Sequence, residues 1–120
     1  MTIKDELKLA IELWESIKQH LAEHPATIQL DIELIKHDFC VNHALNWLND
    51  CWFCAHKECP DCPLYKSALL KFPSYAGYCC LDYWIATDQT NGSGKEHFTL
   101  EERLEACDNI INALNKEAEK

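Results

Sequence analysis

The chain has 120 residues, 48% of them apolar, and a formal charge of −9. That is one ordinary domain with material for a real core, and no apolar run is long enough to span a bilayer. The charge is −5 over residues 1–50, −1 over 51–98 and −3 over 99–120, so the flanks repel phosphate backbones, direct nucleic-acid binding is disfavoured, and a protein partner with a basic surface is the better match. The same acidity also keeps a small protein soluble. The opening Met1-Thr2-Ile3-Lys4-Asp5-Glu6 turns acidic at once and lacks the apolar core of a secretory signal, so a cytoplasmic location is expected. In that reducing compartment the eight cysteines are thiols or metal ligands sooner than disulfides.

Thr2 and Asp5 form a capping-box-like helix start. Ile3, Leu7, Ala10, Trp14, Ile17 and Leu21 then recur at steps of four and three, which predicts a helix over about 2–24 with one apolar stripe. Leu9, Ile11 and Leu13 widen that stripe enough to suggest more than one neighbour, a second copy of the chain among them. Pro25 stops the helix at His24.

Residues 26–38 carry two patterns. Ile28, Leu30, Ile32 and Leu34 alternate with Gln29, Asp31 and Glu33 at the period of a strand, while Ile28, Ile32, Ile35 and Phe39 fit a helix. A lone strand has nothing to pair with, so a helix is favoured. A further short helix over about 41–49 is expected through Val41, Leu45 and Leu48, giving helix over about 28–49 with a break. After the cysteine-rich loop of 51–62, Pro63 starts a helix over about 63–72. The aromatic segment with Leu81, Tyr83, Trp84 and Ile85 predicts another over about 79–87. Residues 88–98 hold two of the three glycines and predict a mobile loop. The capping box Thr99-Leu100-Glu101-Glu102 opens a last helix over about 99–118. The expected fold is mostly α: a small single domain with long N- and C-terminal helices around a cysteine-rich metal-binding loop.

That loop, Cys51-Trp52-Phe53-Cys54-Ala55-His56-Lys57-Glu58-Cys59-Pro60-Asp61-Cys62-Pro63, holds two C-x-x-C pairs, and Cys79-Cys80 follow. Zinc takes four ligands in a tetrahedron, and two intervening residues let both sulfurs of a pair turn to one ion. Cys51, Cys54, Cys59 and Cys62 are therefore the first candidate set for structural Zn²⁺. Four residues between the pairs make a crowded loop, so Cys79 or Cys80 is the alternate for one of the second pair. Cys40 and Cys107 sit where a helix wants a small apolar side chain. His56 reads as an exposed loop histidine, and His20, His24, His37, His43 and His97 are not read as ligands. An iron–sulfur cluster also takes four thiolates, and Cys62-Pro63 matches the end of the bacterial ferredoxin run, but the 2-4-2 spacing does not.

Enzyme motifs fail on their spacing. His56-Lys57-Glu58 and Cys59-Pro60-Asp61-Cys62 contain the letters of a zinc deaminase, but the proline follows the first cysteine and the ligands are contiguous in sequence. G-x-S-x-G, phosphate-binding glycine loops and H-E-x-x-H are absent. No βαβ pattern accompanies the C-x-x-C pairs, against a thioredoxin-like role. A non-enzymatic protein is expected.

The order Leu13-Trp14, Cys51/Cys54, Cys59 to Leu64 as C-x-x-C-P-L, a further cysteine, Tyr83-Trp84 and a closing helix resembles small uncharacterised cysteine-rich proteins encoded by bacteriophages and prophages. The resemblance covers the order of elements over most of the chain. The doubled Cys79-Cys80, the polar loop before Phe98 and the extra Cys40 depart from it and leave the fourth ligand open. It implies a phage origin and a host protein as partner, such as a nucleic-acid-binding defence or transcription protein. The rival expectations are a redox or metal-responsive thiol or iron–sulfur protein, motivated by the surplus cysteines, and a homodimeric structural protein.

Overall fold

The structure, a computed structural model, describes residues 2–47, 51–57, 62–63, 81–88 and 97–120. Every regular element among them is a helix: α1 Ile3–Glu23, α2 Gln29–Asn42, α3 Trp52–His56, α4 Leu81–Ala86 and α5 Leu100–Ala118. Long N- and C-terminal helices thus enclose the cysteine-rich segment, as expected. Among the described residues no helix is long and apolar enough to cross a membrane.

The two long helices begin as their sequences dictate. The Thr2 hydroxyl accepts the Asp5 amide and the Asp5 carboxylate accepts the Thr2 amide, each at 3.1 Å. In α5 the Thr99 hydroxyl accepts the Glu102 amide at 3.1 Å and Glu102 returns the bond at 2.9 Å. Each box satisfies two otherwise orphaned amides. The hydrogen bonds onto Thr2 hold the Asp5 carboxyl below its ordinary range.

α1 and α5 pack together antiparallel: Lys18 meets Asp108 at 2.6 Å, and Thr27, beyond the end of α1, meets Arg103 in the first turn of α5. The buried stripe of α1 is Leu7, Ala10, Leu13, Trp14, Ile17 and Leu21. It starts one turn later than the sequence suggested, since Ile3 is 58% exposed. Its width is used within the chain, because α1 packs on α5, α2 and α3. In α5 the buried positions are Arg103, Ala106, Cys107, Ile110 and Leu114. Of the residues Leu100, Leu104, Cys107, Ile111, Leu114 and Ala118, which recur at helical spacing, only Cys107 and Leu114 are fully buried; the other four flank the core half-buried. The reason is that α5 meets α1 and α4 together, so its deepest line runs between the two contacts. Each fully buried Ile or Leu here, such as Ile17 and Leu21, contributes about 1.5–3 kcal/mol over its exposed state.

α2 settles the ambiguity of residues 26–38 in favour of a helix, which begins at Gln29. Ile32 is fully buried, whereas Ile28, Leu30 and Leu34 are more than half exposed, so the strand-like alternation does not describe burial. The helix ends at Asn42 and does not resume over 43–47, contrary to the expected helix of 41–49. Leu45 N–H bonds Cys40 C=O at 2.8 Å and Ala44 N–H bonds Val41 C=O at 3.2 Å, the paired bonds of a Schellman cap, with Ala44 at positive φ of 54°. The chain then turns back, and Trp47 is buried with its indole donating to Glu6 Oε1 at 2.9 Å. The predicted helix of 63–72 and most of the predicted mobile loop of 88–98 lie outside the described residues.

Candidate metal centre

The cysteine segment is docked at the end of the bundle where α1 begins and α5 finishes. Glu6 on α1 accepts the Trp47 indole with one oxygen and faces His56 Nε2 at 3.6 Å with the other. Lys57, just past α3, reaches Glu117 near the end of α5 at 3.3 Å. Bonds to Lys120 and Lys57 hold the Glu117 carboxyl low, overcoming the opposing effect of its partial burial. Trp52 and Phe53 of α3 are buried and meet edge-on at 5.4 Å. The His56 ring lies 4.8 Å from Trp52, so this histidine is engaged by a ring and a carboxylate.

Cys51 is the N-cap of α3, with extended φ and ψ, and Cys54 is the third helical residue. That geometry turns the two side chains toward each other, and they are hydrogen-bonded. The bond to Cys54, and then burial, push the Cys51 thiol well above its ordinary value; the Cys54 amide and the Lys36 ammonium pull it the other way. The first C-x-x-C pair thus stands at the start of α3. Cys62 is buried in the same core. Among the described residues no three His, Cys, Asp or Glu side chains are grouped to hold one ion. Cys59 of the first set and the alternates Cys79 and Cys80 lie outside the described residues. Cys40 and Cys107 are buried thiols on the inner faces of α2 and α5, as their helical positions suggested.

Lys36 is a component of this region that the sequence reading missed. It is 2% exposed, with its ammonium 4.2 Å from the centroid of the Tyr83 ring and its field felt at Cys51. Tyr83 in turn stacks edge-on against Trp14 at 6.1 Å. The available signal was the spacing Ile32, Lys36, Cys40, one helical face with a lysine in its middle, where a charged letter is ordinarily assigned to solvent. The Trp52 indole N–H is buried and has no hydrogen-bond partner among the described residues.

The opposite end of the bundle is closed by Arg103. Its Nε donates to Ala86 C=O at 3.0 Å, Nη2 to Thr27 C=O at 2.8 Å and Nη1 to Pro25 C=O at 3.4 Å. The guanidinium therefore caps the C-terminal end of α4, where a cation is favoured, and holds the α1–α2 turn. Next to it Asp88, at φ of 61°, accepts the Phe98 amide at 2.7 Å and faces His97 Nδ1 at 2.9 Å.

No protein-family model, no characterised protein and no solved structure matches the chain.

Proposed function

We propose that this is a small acidic zinc-binding interaction module of phage origin that binds and modulates a host protein. The zinc ion is held by Cys51, Cys54, Cys59 and Cys62, with Cys79 or Cys80 as the alternate for one of the second pair. Its role is structural: it fixes the middle of the chain against the α1–α5 pair. The observation that carries this reading is the placing of Cys51 at the N-cap and Cys54 at the third residue of one half-buried helix start, the C-x-x-C arrangement that lets two thiolates take one ion. Because metal binding to such a loop is folding free energy, native mass spectrometry of protein purified without chelator should find one zinc per chain, and chelation should remove helical signal along with it. A metal-free chain of unchanged stability sinks the reading.

The partner surface follows from charge and from α2. Its outer face exposes Ile28, Leu30, Leu34 and Val41 among Asp31, Glu33 and Asp38. An apolar strip in an acidic frame suits a host protein whose apolar site has a basic rim. Binding to basic nucleic-acid-binding host proteins should be strong at low salt and weaken steeply as salt rises; no binding to any of them removes this part.

The same Cys51–Cys54 contact supports one rival, a redox dithiol. Attack by one thiolate on an external disulfide, then by the second on the mixed disulfide, would join the two sulfurs and release two reduced thiols from the oxidant. Zinc-loaded protein resists glutathione disulfide under the first reading and forms the Cys51–Cys54 bond under the second.

A further inference from the structure

The far end of α1 carries a second constellation that the cysteine segment does not use. A groove of about 670 Å³ runs between the last turn of α1 and the start of α2, lined among others by His20, Glu23, His24, Asp31 and Ile35. His20 and His24 stand four residues apart, so their side chains leave the same side of the helix end. Their ring centroids are 4.7 Å apart at a tilt of 39°. The backbone under them is fixed. His24 N–H bonds His20 C=O at 2.8 Å, and His24 C=O accepts both the amide and the hydroxyl of Thr27, at 3.0 and 2.7 Å.

We propose that His20 and His24 form a bidentate imidazole site for a borderline divalent transition-metal ion, of the Ni²⁺, Cu²⁺ or Zn²⁺ class. Three features converge on a cation of this kind. Imidazole selects these ions over Mg²⁺ and Ca²⁺, which prefer oxygen. The pair sits at the C-terminal, negative end of a 21-residue helix, where positive charge is favoured. Two carboxylates, Glu23 and Asp31, line the same groove, and the chain as a whole is at −9, which raises the local cation concentration.

The geometry asks little of the side chains. A tetrahedral ion with bonds of about 2.0–2.1 Å needs its two nitrogens roughly 3.3 Å apart. The ring centroids already lie 4.7 Å apart, and each imidazole turns about two side-chain bonds. The letters His20-Leu21-Ala22-Glu23-His24 also spell the H-x-x-E-H order of a class of zinc peptidases. A catalytic zinc keeps three protein ligands, and among the described residues no third His, Cys, Asp or Glu is grouped with this pair. Glu23 is moreover bonded to Gln19 at 3.3 Å. The site is therefore one for binding, with water in the open positions, and not for hydrolysis.

This inference is independent of the cysteine reading. Glu6, which anchors the cysteine segment, is about 20 Å or more along α1 from His20. The test uses the full chain titrated with Ni²⁺, followed by native mass spectrometry, by visible absorbance and by NMR of the histidine rings. The expected result is one Ni²⁺ per chain with the His20 and His24 ring signals perturbed and no thiolate-to-nickel charge-transfer band. His20→Asn and His24→Asn should each lose that ion, while His97→Asn keeps it and all three retain parental melting temperatures without metal. Ni²⁺ that stays bound in the His20→Asn/His24→Asn double variant, that appears only with the thiolate band, or that fails to bind the parent overturns the site.

Discussion

Arg103 is the residue whose removal should disturb this fold most for its size. It is 3% exposed and spans three segments that are far apart in sequence: the end of α4 through Ala86, the α1–α2 turn through Pro25 and Thr27, and its own helix α5. Burial lowers the guanidinium's pKa, with the nearby Asp88 carboxylate opposing that shift, and it remains a cation at neutral pH. Two of its bonds are short and one is long. A bond from a charged donor contributes about 1.5–3 kcal/mol, so the two short ones supply about 3–6 kcal/mol, less what is recovered when a buried charge returns to water. We expect Arg103→Met, which keeps most of the volume and none of the donors, to lower stability by about 3 kcal/mol. Against a total of about 5–15 kcal/mol that is a large share, and at this chain length it lowers the melting temperature by roughly 10 °C. Arg103→Lys should fall between parent and Met, because one ammonium cannot reach carbonyls on both sides. Urea unfolding with slopes compared between variants is the assay. If Arg103→Met lies within about 0.5 kcal/mol of the parent, burying the guanidinium offsets everything its bonds supply, and its role as the clasp of this end is refuted.

Ala44→Gly should stabilise the protein by roughly 0.5–1 kcal/mol, since Ala44 holds positive φ in the Schellman cap and glycine does so without a Cβ penalty; a loss in urea unfolding contradicts that cap. Cys54→Ser should lower stability by several kcal/mol in zinc-loaded protein, whereas Cys40→Ser, outside the ligand set, should change zinc content not at all; equal melting temperatures for Cys54→Ser and the parent refute the metal site. Burial pushes the Cys107 thiol from 9.0 up to about 12. Between those values the unfolded chain gives up this proton and the folded chain keeps it, so stability is fully present below pH 9 and falls as pH rises, by on the order of 1 kcal/mol per pH unit. Cys107→Ala should flatten that alkaline slope; an unchanged slope assigns it to other groups. Lys36→Met should speed zinc loss to a competing chelator, since the Lys36 ammonium acts on Cys51; unchanged zinc retention removes the ammonium from the site's electrostatics.

What could be read in advance was what is written locally. Thr2 with Asp5 and Thr99 with Glu102 announce two helix starts because a capping box needs only four consecutive residues. The α1 stripe was legible because one neighbour, α5, dominates its burial, and it slipped only at Ile3, where no partner covers the first turn. The end of α2 was not legible: Val41, Leu45 and Leu48 continue a helical period, and the residue that breaks it is an alanine in a conformation that glycine or asparagine would have advertised. Lys36 and Arg103 were missed for a common reason. Pattern reading sends charge to solvent, yet each of these sits on the inner face of a helix, where its neighbours are set by segments distant in sequence. The Cys51–Cys54 pair was legible because C-x-x-C is a local geometry, whereas the partners of that pair depend on how the chain returns to it.

The two buried cations also explain how the ends of the bundle divide their work. Arg103 faces backbone carbonyls, fixed dipoles that are present whenever the chain is folded, so the end of the bundle it closes needs no ligand. Lys36 faces an aromatic ring and, within reach of its field, a thiol pair. The ring face contributes about 2 kcal/mol to a desolvated ammonium. Four thiolates on one Zn²⁺ would carry a net charge of about −2, and an ammonium beside them then becomes favourable for both partners. The zinc proposed above would therefore strengthen the Lys36 side of the core, while the α1–α5 frame has its own clasp in Arg103. Chelation should therefore melt protection around α2 and α3 in hydrogen exchange before it touches the paired amides of α1 and α5.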